Sequence, residues 1–293
     1  MSMHFADRLL AAIEEKGSPA CVGIDPVYER LPAPLRERFG NDRIGALGEF
    51  CRQVLQVVHP AVPAVKPQIA YFEMHGEKGL GLYDQVVRIA RELGLLTIGD
   101  VKRGDIGPTA KAYAEGHLGG SRAPDAVTLN GYFGADGLAP FVDACREKDK
   151  GMFVLVRTSN PSAAVIQDFA DASGRKFYEH IAEQVAAIGG GEGLVGESGY
   201  SCVGAVVGAT YPDEARRLRE IMPRQMFLVP GYGAQGATAA DCAAAFRPDG
   251  TGAIVNAGRS VIYAYEKQAR TDWKQAIESA ARAFAKDIAE GVR

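Results

Sequence analysis

The sequence predicts an α/β fold, a (β/α)8 TIM barrel, on three observations. Short apolar runs alternate with longer amphipathic stretches along the whole chain, eight such runs fit within 293 residues, and polar or ionisable residues close nearly every run. Repeated strand–helix alternation implies right-handed βαβ units and a parallel sheet. Eight units in this length fit a closed barrel better than an open doubly wound sheet, the main alternative.

The first strand, Ala20–Ile24, is stopped by Asp25-Pro26, and the second, Ala61–Lys66, by Pro67. The third, Leu95–Val101, passes through Asp100 and opens into Lys102-Arg103-Gly104. The fourth, Ala126–Leu129, ends at Asn130. The fifth, Met152–Val156, runs into Arg157-Thr158-Ser159-Asn160-Pro161, and the sixth is Cys202–Val207. The seventh, Met226–Val229, runs into Pro230-Gly231-Tyr232-Gly233-Ala234-Gln235-Gly236. The eighth, Gly252–Val255, ends in Asn256-Ala257-Gly258-Arg259-Ser260. Runs this short and this apolar suit strands buried on both faces. The helical stretches are Arg43–Val58, Gly79–Leu93, Gly137–Arg146, Lys176–Ile188, Pro212–Ile221, Thr238–Phe246 and a closing helix, Thr271–Glu290. Gly189–Gly204 reads as a loop inserted before the sixth strand. With no Pro/Ser-rich linker, residues 1–293 read as one domain.

An apolar content of 47% supplies a large core, and a net charge of -3, spread without blocks, argues against disorder and against a nucleic-acid surface. The five cysteines (Cys21, Cys51, Cys145, Cys202, Cys242) are far apart, without zinc-ligand spacing or a disulfide framework, and read as buried reduced thiols. His4, His59, His75, His117 and His180 end no expected strand and read as structural or surface residues. The N-terminal stretch lacks a signal-like apolar region, and no run reaches eighteen apolar residues. The expectation is a cytoplasmic, soluble protein with no metal, cofactor, nucleic acid or membrane partner.

In TIM barrels chemistry gathers at the C-terminal ends of the strands. Asp100 and Lys102, two apart on a strand, share a face. Gly104 lets the chain turn and present Asp105 nearby. An ammonium between carboxylates stays protonated, so Lys102 suits proton donation or the holding of negative charge better than Schiff-base chemistry. The plainer readings are an ion pair for Asp100-x-Lys102 and a helix cap for Asp105, since Pro108-Thr109 opens a helix. The glycine-rich loop after the seventh strand matches GxGxxG, but a dinucleotide fold would place it after the first strand. Followed by Arg259 after the eighth, it reads as a phosphate site; turn-forming glycines are the plainer reading.

These residues resemble orotidine 5′-phosphate decarboxylases, whose signature Asp-x-Lys-x-x-Asp here reads Asp100-Val-Lys102-Arg-Gly-Asp105-Ile106-Gly-Pro-Thr109. The resemblance extends to Asp25, Lys66, Ser159, the Pro230–Gly236 loop and Gly258-Arg259-Ser260. Val65-Lys66-Pro67-Gln68 and Thr158-Ser159-Asn160-Pro161 point to the longer bacterial subgroup. It implies a cofactor-free decarboxylation of orotidine 5′-phosphate to uridine 5′-phosphate, with Lys102 protonating C6 and Asp100 against the scissile carboxylate. Lys66 and Asp25 would complete the charged array and bind ribose hydroxyls. Ser159 would contact the pyrimidine, Gln235 and Arg259 would hold the 5′-phosphate, and Pro230, Gly231 and Gly258 would join the substrate-binding set. Asp105, Ile106 and Thr109 would reach the neighbouring subunit's site, implying a homodimer; Tyr232 receives no role. The chemistry agrees: loss of carbon dioxide from C6 leaves an in-plane carbanion that the π-system cannot delocalise, so a preorganised cation must stabilise it.

Two rivals stand beside this reading. Hexulose-phosphate synthases and keto-gulonate-phosphate decarboxylases share the Asp-x-Lys-x-x-Asp run but use magnesium and a carboxylate at the end of the second strand, where this chain has Lys66. A non-catalytic nucleotide-phosphate-binding barrel would keep Gln235 and Arg259 but need no Asp100–Lys102 pair.

Overall fold

The computed structural model describes residues 3–233, 235–267 and 272–292. Eight strands form a closed barrel in sequence order: β1 (Ala20–Ile24), β2 (Ala64–Pro67), β3 (Leu96–Arg103), β4 (Ala126–Asn130), β5 (Gly151–Arg157), β6 (Ser201–Val207), β7 (Gln225–Pro230) and β8 (Ala253–Ala257). Every neighbouring pair is parallel, and β8 closes on β1 through Ala20 opposite Val255. All residues of β1 and β6 are buried, because one face of each strand fills the barrel and the other meets helices.

The helices are α1 (Phe5–Lys16), α2 (Ala33–Phe39), α3 (Arg43–Val58), α4 (Ala70–Glu73), α5 (Gly76–Glu92), α6 (Gly107–Ala114), α7 (Gly134–Lys148), α8 (Ala163–Gln167), α9 (Phe177–Gly189), α10 (Pro212–Ile221), α11 (Ala239–Ala243), α12 (Arg259–Ile262) and α13 (Trp273–Gly291). On α5, Leu82, Tyr83, Val86, Val87 and Ala90 are buried at the three- and four-residue spacing of one helix face. On α13 the Asp272 carboxylate accepts from the Lys274 and Gln275 amides, and Ile277, Ala281, Phe284 and Ile288 face inward. None of the described helices is long and apolar enough to cross a membrane.

Several expectations move. β2 begins at Ala64, not Ala61, because Ala61 donates to Val58 O in a turn that ends α3. α11 covers only Ala239–Ala243 of the expected Thr238–Phe246, with Thr238 and Asp241 forming a capping box. Thr271, the expected start of the last helix, lies outside the described residues. The glycine-rich tract divides: Gly189 ends α9, and Ser201–Gly204 are already β6, leaving 190–200 as the loop. α1 is unanticipated. It packs Phe5 against Gly151 at the start of β5, and Arg8 bonds Asp125 Oδ1 (2.7 Å) before β4. α1 therefore lies against the N-terminal ends of these strands, opposite the rim where chemistry is expected.

The same lower end holds a buried cation among carbonyls. Arg219 on α10 is 8% exposed, donates to Ala245 O, Met222 O, Gln225 O and Gly252 O at 2.7–3.1 Å, and lies 3.5 Å from the Phe227 ring centroid. Burial pushes its guanidinium down to about 10. Arg219→Met would remove five bonds to four carbonyls, of which Met222 O and Gly252 O keep a backbone donor, so a loss of about 3 kcal/mol is expected in urea unfolding. A midpoint within error of wild type would refute the staple.

Candidate active site

At the C-terminal ends of the strands lies a cavity of about 380 Å³, walled by residues of β2 to β7 and the loops that follow them. Its floor is ionic. Asp100 of β3 is 5% exposed, and its two oxygens are shared between two ammoniums: Lys66 Nζ of β2 lies 2.5 Å from Oδ2 and Lys102 Nζ lies 2.5 Å from Oδ1. Gln68 Nε2 donates to Oδ2 (2.9 Å) and Thr128 Oγ1 of β4 to Oδ1 (2.9 Å), so both oxygens are satisfied. Burial opposes ionisation of Asp100, but Lys66 and Lys102 override it and hold the carboxyl well below the usual range. Burial likewise works against the Lys66 charge, yet Asp100 and Asp25 raise it above the ordinary lysine value.

A backbone irregularity brings Asp100 and Lys102 together. From Gly99 to Arg103 β3 takes four steps, while its partners Val127 and Leu129 on β4 are two apart. The extra length bulges at Asp100–Lys102, and Lys102 sits at φ 45°, the left-handed region that a side chain with a Cβ rarely adopts. Its amide donates to Thr128 Oγ1 (3.1 Å), the hydroxyl that also holds Asp100. Strain of about 1–3 kcal/mol persists at such a residue only where surrounding bonds over-determine it. Strict strand alternation therefore does not place this pair; the bulge does.

The expected lysine between two carboxylates is inverted: a carboxylate sits between two lysines. Asp105 makes no ion pair with Lys102 among the described residues; its Oδ1 accepts from the Ile106 amide (2.8 Å). Nor does it cap a helix, since Ile106 occupies the N-cap of α6 without a side-chain bond. Ile106 is 54% exposed, and Thr109 is also exposed.

Asp25, just beyond β1, has a buried Oδ1 with no hydrogen-bond partner. Burial raises its pKa, against the pull of Lys66, and Arg259 and Lys102 also act on it. An orphaned buried acceptor at a cavity suits a hydroxyl donor from a ligand. Ser159 lines the cavity beside Thr158 and Asn160, and Pro230 and Gln235 line it from the seventh-strand loop. That loop depends on its glycines: Gly231, Gly233 and Gly236 have φ of 117°, 68° and 89°. Ala234 lies outside the described residues. Gly258 packs its Cα where a Cβ on Gly23 would approach to 3.0 Å, so β1 and β8 meet closely below Arg259. Arg259 is exposed at the start of α12.

Comparison with known proteins supplies what geometry alone does not. Residues 18–272 match the family described as "Orotidine 5′-phosphate decarboxylase / HUMPS family". The chain belongs to this orotidine 5′-phosphate decarboxylase family. It is 41% identical over 294 residues to the orotidine 5′-phosphate decarboxylase of Rhodopirellula baltica, covering 95% of this chain and 96% of that one. To that of Deinococcus radiodurans it is 43% identical over 265 residues, covering 90% and 91%. Among solved structures, the OMP decarboxylase of Leishmania donovani superposes with a TM-score of 0.77 at 31% identity, over 98% of each chain.

Within the decarboxylase-family barrel, several groups at the site carry no role that their place in the sequence announces. Gln68 and Thr128 bond Asp100 directly, and Thr128 was hidden inside an apolar run. The close of β6 is likewise unannounced: a Cβ on Gly208 would meet Ser159 at 3.1 Å, and the Ala209 amide donates to Pro230 O. The five histidines line no part of the cavity, and the five cysteines are buried and free.

Proposed function

We propose that this chain decarboxylates orotidine 5′-phosphate to uridine 5′-phosphate, the last step of de novo pyrimidine synthesis, as a cytoplasmic enzyme in which residues 1–293 act as one barrel domain. The observation that carries the reading is the Lys66–Asp100–Lys102 array at the cavity floor. The bond from C6 to the carboxylate breaks, carbon dioxide departs, and the electron pair stays on C6 in the ring plane. Lys102, with its side chain 47% exposed to the cavity mouth, is the ammonium free to move toward C6 and deliver a proton. Lys66 remains behind as the counter-charge of Asp100, which keeps the array in place without solvent reorganisation. Asp100 would face the scissile carboxylate, and the Asp25 acceptor would take ribose hydroxyls. Ser159 would meet the pyrimidine, while Pro230, Gly231, Gln235, Gly258 and Arg259 would grip the 5′-phosphate. Phosphate contacts remote from C6 supply binding energy that can be realised in the transition state.

A cation at the end of β2 separates this reading from the magnesium-dependent relatives, which need a carboxylate there. The test is the loss of orotidine 5′-phosphate absorbance on mixing with purified protein. Turnover unaffected by EDTA is expected; a magnesium requirement would overturn the reading.

Ile106 and Thr109 are exposed, and Asp105 makes no ion pair with Lys102 among the described residues, which supports a homodimer in which the three complete the partner's site. Asp100→Ala and Asp105→Ala are each expected to be inactive. A heterodimer of the two would contain one site with both carboxylates, so an equimolar mixture should regain about a quarter of wild-type activity. No recovery in demonstrated heterodimers would refute shared sites.

A further inference from the structure

The wall that Thr158, Ser159 and Asn160 contribute to the cavity begins a long excursion between β5 and α9, and apolar packing does little to hold it. Val165, Ile166 and Phe169 are 77%, 63% and 75% exposed, and Ala163 is the buried residue of α8. Polar groups hold it instead. The Gln167 side-chain amide reads Thr158 twice: Oε1 accepts from the Thr158 amide (3.0 Å), and Nε2 donates to Thr158 Oγ1 (2.7 Å). The Thr158 hydroxyl in turn donates to Asn160 Oδ1 (2.6 Å).

Gln167 is itself anchored on an ion cluster. Arg157, 1% exposed at the end of β5, is fixed by Glu214 of α10 through Nε (2.5 Å) and Nη2 (3.2 Å). Its Nη1 reaches Asp168 Oδ1 at 2.8 Å and Gln167 Oε1 at 3.4 Å. The rings of Tyr211 and Tyr178 lie 4.4 and 5.0 Å from the guanidinium. Lys176 adds a second cation, 3.5 Å from Asp168 and 3.8 Å from Glu214, so two positive and two negative charges balance. Buried at 1% exposure, with three hydrogen bonds to Glu214 and Gln167 and an ion pair to Asp168, Arg157 lines no part of the cavity itself and bears on it through these neighbours.

We propose that Gln167, seated on the Arg157–Glu214–Asp168 cluster, is a positioning residue that fixes Thr158 and thereby sets Ser159 against the base of the bound nucleotide. The inference rests on the reading of Ser159 as the pyrimidine contact. It makes a selective prediction: loosening the clamp weakens ligands that have a base and spares those that have only the sugar phosphate. Arg157 is a poor target, because its removal would strand Glu214 and Asp168. Gln167 is partly exposed, and Gln167→Leu removes both bonds to Thr158 at nearly constant volume.

The measurement is calorimetric titration of wild type and Gln167→Leu with uridine 5′-phosphate and with ribose 5-phosphate, alongside thermal unfolding. Two lost hydrogen bonds should weaken uridine 5′-phosphate about tenfold, with ribose 5-phosphate changed less than about twofold. Gln167→Glu keeps an acceptor for the Thr158 amide and should recover most of the affinity for the nucleotide. Equal weakening of both ligands would show a general structural effect and overturn the proposal, as would unchanged nucleotide binding. Wild type binding neither ligand would instead defeat the nucleotide reading itself, and the clamp with it.

Discussion

Lys102→Ala is expected to lower kcat for orotidine 5′-phosphate by at least about 10⁴-fold while leaving uridine 5′-phosphate affinity within about tenfold. A positioned general acid contributes about 10²–10⁴-fold. A preorganised charge at the site of developing anion adds about 10²–10³-fold. On the proposed reading Lys102 supplies both, and the Lys66 side chain is 8% exposed with its ammonium already committed to Asp100 Oδ2. The substitution removes an ammonium from an accessible position and leaves Asp100 paired with Lys66, Gln68 and Thr128, so the fold should persist. Product affinity is the control, because the residues proposed to hold the phosphate and ribose are other side chains. A kcat within about a hundredfold of wild type, with the protein folded, would remove Lys102 from the chemistry.

Lys66→Met should instead act on stability, by about 3–5 kcal/mol at neutral pH, as expected when one partner of a buried pair is removed. Lys66 is 7% exposed and neutralises Asp100 while also acting on Asp25. The loss should depend on pH with a definite sign. Asp100 titrates below its unfolded value in the native state, so its contribution is present above about pH 4 and fades as pH falls below that. Lys66 titrates above its unfolded value, so its contribution is complete below about pH 10 and fades as pH rises further. The gap between wild type and variant in urea unfolding should therefore be widest between about pH 4 and 10 and narrow at both ends. A gap that is constant from pH 3 to pH 7 would show that Lys66 contributes packing, not charge.

The two outcomes separate two lysines that share one carboxylate. Both meet Asp100 at 2.5 Å, yet one is enclosed and the other faces the cavity mouth with 47% of its side chain exposed. Distance alone would give them one role. The difference in exposure is what supports reading one as a fixed counter-charge and the other as the proton donor.

The barrel and several of the residues that border its cavity were legible in the chain. Residues that must be buried on two faces leave uninterrupted apolar runs such as Cys202–Val207, and the ends of those runs announce themselves by a proline, glycine or charge. Because strand order follows chain order in this fold, naming the strand ends also named the cavity wall: Lys66, Asp100, Lys102, Ser159, Pro230 and Gln235 all border it. What escaped were residues whose role is relational. Thr128 is an unremarked hydroxyl in an apolar run until β4 lies beside β3, where it bonds both Asp100 and the Lys102 amide. Gln167 lies in an excursion with exposed apolar side chains, and nothing near it in sequence points back to Thr158. α1 precedes the first strand and shows its purpose only through Phe5 and Arg8, whose partners lie more than a hundred residues away.

By itself, the sequence determined the parallel eight-stranded architecture, the rim that carries the ionisable groups, and the Asp100-x-Lys102-x-x-Asp105 run at its centre. Periodicity and strand order set these, and both are local properties of the chain. Only the tertiary structure decided how that run is used. The β3 bulge and the positive φ of Lys102 turn Asp100 and Lys102 into one cavity, Lys66 arrives from β2 to make the carboxylate the centre of the array, and Asp105 points elsewhere. Those outcomes depend on distances between strands, which no spacing along the chain encodes.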